Sequence, residues 1–103
     1  MQDGNCGREP FALRVIGDEM SPEFSDGCII IIDPEGVVSD GSYVMARHDE
    51  GYVFRQLVFG EGVYYLKALQ AGHPVIEIPD LAPIEGVVTQ QAGRRRAERK
   101  HYC

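Results

Sequence analysis

Residues 11–34 constrain the fold of this chain more than any other stretch. The side chains of residues 11–16 alternate in character well enough for a β-strand, and residues 27–33 contain four consecutive isoleucines. An apolar run so short and so β-branched, with turn-forming residues at both ends, is typical of a strand buried on both faces. An irregular hexapeptide lies between the two strands, Gly17-Asp18-Glu19-Met20-Ser21-Pro22. The sequence therefore predicts two strands that flank a constrained loop.

The remainder of the chain predicts further short strands joined by turns. The 12 glycines and 6 prolines among 103 residues punctuate several β-rich runs. This pattern favours an all-β or mostly-β domain, compact and built of short strands and hairpins, over an α/β fold. The predicted strands are residues 42–47, 52–59, 63–69, 75–78 and 84–91, with hairpin turns at 48–51 and 60–62.

Length and composition indicate one small domain. We expect a flexible segment at residues 1–10, a folded domain at 11–91 and a basic tail at 92–103. The sequence has neither a long apolar run nor a signal-peptide pattern, so we expect a cytoplasmic protein that does not enter a membrane. The cysteines are odd in number and widely spaced, which favours reduced thiols over disulfides or a zinc site: Cys6, Cys28 and Cys103.

Basic side chains are concentrated at the end of the chain. Residues 94–103 carry five of the ten Lys and Arg, so residues 1–93 hold 5 basic against 15 acidic side chains, a formal net charge of −10. A body this acidic repels phosphate and is not expected to bind nucleic acid by itself. The basic tail is the part of the chain that could contact nucleic acid or an acidic partner. The alternative interpretation of the tail is a solvated terminus.

The hexapeptide and its flanking strands resemble the C-terminal domain of LexA-like, self-cleaving phage and SOS repressors, and more distantly type I signal peptidases. That family has a strand, Gly-x-Ser-Met-x-Pro, a few residues, Gly-Asp and a hydrophobic strand. Here the serine position holds Glu19, and the Gly-Asp pair is Gly27-Cys28. The family's apolar-x-Lys-x-Leu strand is similar to residues 53–57, with Arg55 in place of lysine.

The resemblance continues to the end of the predicted domain. Leu66-Lys67-Ala68-Leu69 is similar to the family's Leu-x-x-Leu-Asn segment, with Gln70 at the asparagine position. Residues 84–88, Ile-Glu-Gly-Val-Val, match its closing strand. Relatives cleave themselves at Ala-Gly or Cys-Gly bonds, but we expect no such role for Cys6-Gly7, because few residues separate this dipeptide from the first strand.

Both catalytic positions implied by the resemblance are altered. The family's serine attacks the peptide carbonyl, and a desolvated neutral lysine removes the serine proton. Glu19 has no hydroxyl to acylate, and the guanidinium of Arg55 stays protonated at any accessible pH. We therefore expect no catalytic residues. Since the family brings these two positions together across a cleft, the sequence predicts a salt bridge between Glu19 and Arg55.

Replacement catalysts are hard to find in the sequence. Ser21 precedes a proline and suits a turn, Lys67 is expected to face solvent, and the histidines His48 and His73 lie in turns. The spacing of Cys, His and acidic residues supports no metal site, and no cofactor is expected. The weaker alternative to a non-catalytic domain is a self-cleaving serine peptidase that uses a non-standard residue such as Ser21.

The favoured interpretation is a catalytically inactive LexA-like domain that acts as a dimerisation and regulatory binding module. It could belong to a transcriptional regulator or to an accessory protein of the UmuD type, in an SOS-like stress response. We expect the binding cleft to include Asp18, Met20 and Ser21. The resemblance implies a homodimer that pairs partly through the last strand, at Ile84, Val87 and Val88.

Overall fold

The computed structural model describes residues 9–92 and the backbone of residues 100–101. Within these ranges the chain forms eight β-strands and no helix. The described residues therefore contain no helix that could cross a membrane. The strands are β1 (Phe11–Arg14), β2 (Ile29–Asp33), β3 (Tyr43–His48), β4 (Gly51–Gly60), β5 (Val63–Lys67), β6 (Ile76–Ile78), β7 (Ile84–Ala92) and β8 (Lys100–His101).

The strands make one antiparallel sheet in the order β1-β2-β7-β3-β4-β5-β6, with β8 paired to β7. This arrangement confirms the predicted all-β fold of short strands and hairpins, and every predicted strand is present. β8 was not predicted; it lies within the predicted basic tail. Residues 1–8 of the predicted flexible segment, residues 93–99 and residues 102–103 lie outside the described part of the chain.

Two tight hairpins fix the register of the central strands. β3 and β4 are joined by Asp49 and Glu50, with φ of 50° and 65°, and β4 and β5 by Glu61 and Gly62, with φ of 53° and 79°. Positive φ at both central residues is the conformation of two-residue hairpins whose twist matches the flanking strands. The polar turns predicted at 48–51 and 60–62 are therefore present as hairpins.

The sheet buries side chains in two hydrophobic cores. The first core contains Val15, Met20, Phe24, Cys28, Ile30, Ile32 and Val88. The second core contains Val44, Ala46, Leu57, Leu66, Ile78 and Val87. Because successive side chains of a strand point to opposite faces, the neighbours Val87 and Val88 contribute to different cores. β7 thus supplies fully buried side chains to both cores, whereas β3 and β4 place buried residues in the second core and only partly buried ones against the first.

The isoleucine run is less deeply buried than its sequence predicts. Ile30 and Ile32 are almost fully buried in the first core, whereas Ile29 and Ile31 are half-buried and belong to neither core. The next strand out, β1, has all four residues exposed and forms an edge of the sheet. Within residues 9–92 the second face of β2 is therefore only partly covered, and burial alternates along the run.

Cys28 is a free thiol buried in the first core. Burial raises the pKa of the Cys28 thiol, and the hydrogen bonds around it only partly oppose that shift. A raised pKa keeps the side chain protonated and unreactive at neutral pH. Cys28 therefore behaves as a small core residue, in line with the prediction of a reduced thiol; Cys6 and Cys103 lie outside the described residues.

Gly86 lets β7 pack closely against β2. A Cβ added at Gly86 would collide with the Cγ2 methyl of Ile32 and would lie 3.2 Å from the carbonyl oxygen of Asp33. Ile32 is fully buried, so it has little freedom to move away. The residue at position 86 must therefore lack a side chain if the two strands are to keep this spacing.

We expect Gly86→Ala to lower the free energy of unfolding by about 1–3 kcal/mol, because it overpacks the first core. Chemical denaturation of the purified variant measures this change. Gly60→Ala is the matched control, since a Cβ at Gly60 has no neighbouring atom within 4 Å. Equal stability of the two variants would contradict the close approach of β7 and β2.

Candidate functional site

A cleft of about 210 Å³ opens between β1, the loop that follows it, and the first half of β4. Three of its apolar lining side chains are exposed: Leu13 (37%), Ile16 (83%) and Tyr52 (64%). The complete lining consists of Leu13, Arg14, Val15, Ile16, Glu19, Met20, Ile30, Tyr52, Val53, Phe54 and Arg55. Glu19 and Arg55, the two positions that the resemblance compares with the family's nucleophile and base, thus line one cavity.

In the described part of the chain, two strands reach the cleft with one backbone edge unpaired. Among the described strands, β1 pairs with β2 alone. Within residues 9–92, residues 51–55 of β4 pair only with β3, because the pairing with β5 begins at Gln56. Open strand edges present backbone N–H and C=O groups that can pair with an added strand. This cleft can therefore accept an extended peptide by main-chain hydrogen bonding.

The loop that carries Glu19 is held in place through its backbone. The carbonyl oxygen of Glu19 accepts hydrogen bonds from the N–H groups of Leu69 and Gln70, both at 2.9 Å. The side-chain amide of Gln70 donates to the carbonyl oxygen of Ser21 at 2.8 Å. The sequence did not predict that Gln70 would act as a clamp that holds this loop. The position of Gln70 in the Leu-x-x-Leu-Asn-like segment was the sequence feature that could have indicated it.

The side chain of Glu19 folds back over Gly17. A Cβ placed at Gly17 would overlap the Glu19 carboxylate, and Gly17 has a φ of 99° that other residues rarely adopt. The backbone N–H of Gly17 donates to the Asp26 carboxylate at 2.8 Å. Gly17 therefore provides the space in which the half-buried Glu19 carboxylate lies.

Arg55 is half-buried and lies opposite Val44 on the neighbouring strand. Its Nη1 donates to the carbonyl oxygen of Phe54 at 2.9 Å. Its Nε is buried and has no hydrogen-bond partner. A buried guanidinium nitrogen without an acceptor is costly, so the orientation of this side chain leaves one donor unsatisfied.

The predicted salt bridge between Glu19 and Arg55 is wrong. Within residues 9–92 neither Arg55 nor Arg14 forms an ion pair with Glu19 at 4.0 Å or less. The two side chains share a cavity, but the carboxylate turns towards Gly17 and the guanidinium towards the backbone of Phe54. The carboxylate and the guanidinium thus each contact a residue close to them in sequence, and these contacts compete with a salt bridge between the two side chains.

The other predicted cleft residues are dispersed. Met20 lines the cleft and is also nearly fully buried in the first core. Asp18 is exposed and Ser21 is half-buried, and neither lines the cleft. Lys67 is exposed, as predicted. A binding role for Asp18, Met20 and Ser21 stays a prediction, and the dipeptide Cys6-Gly7 lies outside the described residues.

The residues predicted to mediate dimerisation point inward. Val87 and Val88 are 2% and 1% exposed, and the half-buried Ile84 packs on the second core. β7 is flanked by β2 on one side and by β3 and β8 on the other. These side chains therefore pack within the protomer, and a dimer contact through Ile84, Val87 and Val88 stays a prediction, as does the homodimer itself.

A double-mutant cycle tests the separation of Glu19 from Arg55. We expect Glu19→Ala and Arg55→Ala to change the free energy of unfolding additively, to within about 0.5 kcal/mol, because no ion pair joins them. Denaturant melts of the two single variants and the double variant give the coupling energy. A coupling of about 1 kcal/mol or more, as a buried pair would give, would contradict the observed geometry.

Comparison with known proteins identifies relatives that share this domain. Residues 2–89 match the family described as Peptidase S24-like. The chain is 41% identical over 87 residues to the HTH-type transcriptional regulator for conjugative element SXT of Vibrio cholerae, covering 78% of this chain and 40% of that protein. It is 38% identical over 95 residues to prophage repressor CohE of Escherichia coli strain K12, covering 88% and 42%.

A third relative, repressor protein C2 of Salmonella phage P22, is 34% identical over 90 residues, covering 82% of this chain and 42% of the repressor. The chain spans about two fifths of the length of these curated relatives. The family match covers most of the chain and agrees with the all-β fold, which confirms the resemblance to LexA-like repressor domains. The chain belongs to the Peptidase S24-like family.

Proposed function

We propose that this chain is a catalytically inactive Peptidase S24-like domain that serves as a regulatory binding module in the control of transcription. The names of its relatives, an HTH-type transcriptional regulator and two repressors, support the regulatory setting. An SOS-type stress response is the pathway that the LexA-like resemblance suggests. The acidic body, at a net charge of −10 over residues 1–93, disfavours direct contact with nucleic acid.

The side chains at the two altered positions carry the proposal. A Ser–Lys peptidase needs a hydroxyl that can attack and an amine that can become neutral. The cleft instead presents Glu19, which has no hydroxyl, and Arg55, which stays charged and donates to a backbone carbonyl. Acyl transfer at this place would lack both its nucleophile and its base.

The remaining features of the cleft suit binding without cleavage. Two strand edges are open within residues 9–92, and the exposed apolar side chains of Leu13, Ile16 and Tyr52 border the cavity. An extended segment can add to such an edge by main-chain hydrogen bonds while its side chains enter pockets beside it. The domain would hold a peptide segment in the place where a catalytic relative would cut one.

A self-cleaving peptidase that uses Ser21 is the competing possibility. Ser21 does not line the cleft, and its carbonyl oxygen is tied to the side chain of Gln70. Its hydroxyl has no adjacent lysine or histidine base among the contacts of the described residues. These observations favour the non-catalytic assignment.

A serine-directed probe distinguishes the two possibilities. We expect the protein to remain unlabelled by a fluorophosphonate, and to keep its intact mass during prolonged incubation at pH 9–10, where relatives with a lysine base become more active. Glu19→Ser combined with Arg55→Lys is the matched variant that restores both family side chains. Labelling of the unmodified protein that disappears in Ser21→Ala, or scission at Cys6-Gly7, would refute the proposal.

We also propose that the domain forms a homodimer, as the family resemblance implies. Light scattering should then give about twice the monomer mass of 11.4 kDa. A concentration series from low to high micromolar is the appropriate test, because charged substitutions at Val87 or Val88 would disrupt the cores of the protomer itself. A monomer across the whole series would contradict the dimer.

A further inference from the structure

We propose that the cleft recognises an acidic side chain within an extended apolar peptide, and that Arg55 receives its carboxylate. The inference rests on the proposed non-cleaving function and adds the chemical class of the ligand. It follows from three observations that concern the hydrogen bonding of Arg55, the charges that line the cleft, and the open strand edges.

The guanidinium of Arg55 has unused hydrogen-bonding capacity. Of its five N–H donors, one on Nη1 is bonded to the carbonyl oxygen of Phe54, and the Nε donor is buried without an acceptor. One hydrogen bond to the protein holds the group in its present orientation, and a small turn of the side chain would bring the Nε donor towards the cavity. A carboxylate that enters the cleft can accept two parallel N–H bonds from an arginine, an arrangement stronger than a neutral hydrogen bond.

The charges that line the cleft favour an anion. Within residues 9–92 the sequence holds four Lys and Arg against fourteen Asp and Glu. Two of the four cations, Arg14 and Arg55, line the cleft, whereas Arg47 is paired with Glu85. The one acidic residue that lines the cleft, Glu19, is turned against Gly17. The cleft is therefore locally cationic on a body that is otherwise acidic.

The open edges indicate how the ligand would lie. A peptide added to β1, or to residues 51–55 of β4, is extended, so alternate side chains enter the cleft. Its neighbouring side chains meet the exposed apolar groups of Leu13, Ile16 and Tyr52. Because the acidic body repels a run of negative charge, the ligand has one acidic residue among apolar ones.

Peptide pools test this specificity directly. The probes are fluorescein-labelled, amidated heptapeptides with Asp, Glu, Asn or Gln at the centre and random Ala, Val, Leu or Ile on both sides. Fluorescence polarisation measures binding to the full chain. We expect the Asp or Glu pool to bind at least about tenfold more tightly than its amide counterpart, since a charge-assisted hydrogen bond is lost with the amide.

Three substitutions assign the preference to the cleft. Arg55→Gln should abolish the discrimination between acid and amide, whereas Lys67→Gln, which removes an exposed cation outside the cleft, should preserve it. Glu19→Gln should tighten binding of the acidic pools about threefold, because it removes a like charge near the site. Circular dichroism and thermal melts confirm that each variant is folded.

The outcomes separate this inference from the proposed function. Absence of binding by any pool, equal binding of acid and amide pools, or an acid preference that survives in folded Arg55→Gln would overturn carboxylate recognition alone. Mass spectrometry of the same mixtures reports cleavage. Peptide cleavage by the unmodified protein would instead overturn the non-catalytic function, whatever the affinities.

Discussion

β7 must satisfy two hydrophobic cores at once. Its adjacent residues Val87 and Val88 send side chains into the second and the first core respectively, and Gly86 beside them allows contact with Ile32 of β2. Since β7 also pairs with both β2 and β3, it joins the part of the sheet that carries β1 to the part that carries β4. The two walls of the cleft therefore depend on this one strand.

The backbone of this domain was largely predictable, whereas the direction of its polar side chains was not. Alternation, β-branched runs and Gly-rich turns located the strands and both two-residue hairpins, because these signals are local. The pairing of Glu19 with Arg55 failed because sequence matching gives the positions of residues, and local acceptors such as the Phe54 carbonyl decide where side chains turn. Burial of Val87 and Val88 likewise depended on packing from two sides of the sheet.

The proposed binding surface of the cleft is built from parts that need no catalytic group. Its walls are made by strand edges and by exposed apolar side chains, which do not require a nucleophile. Under the proposed function, Glu19 and Arg55 stand where the resemblance places a serine and a lysine. The affinity of such a surface can be adjusted through electrostatics without changing the strands that form it.

Leu69 and Gln70 hold the loop by hydrogen bonds that do not depend on which side chain occupies position 19. All of its hydrogen bonds end on the main-chain oxygens of Glu19 and Ser21, so a different side chain at position 19 leaves those bonds unchanged. The side chain at position 19 can thus vary while the backbone of the loop keeps its conformation. Substitutions at position 19 can therefore change the chemical group that faces the cleft without rebuilding the loop that carries it.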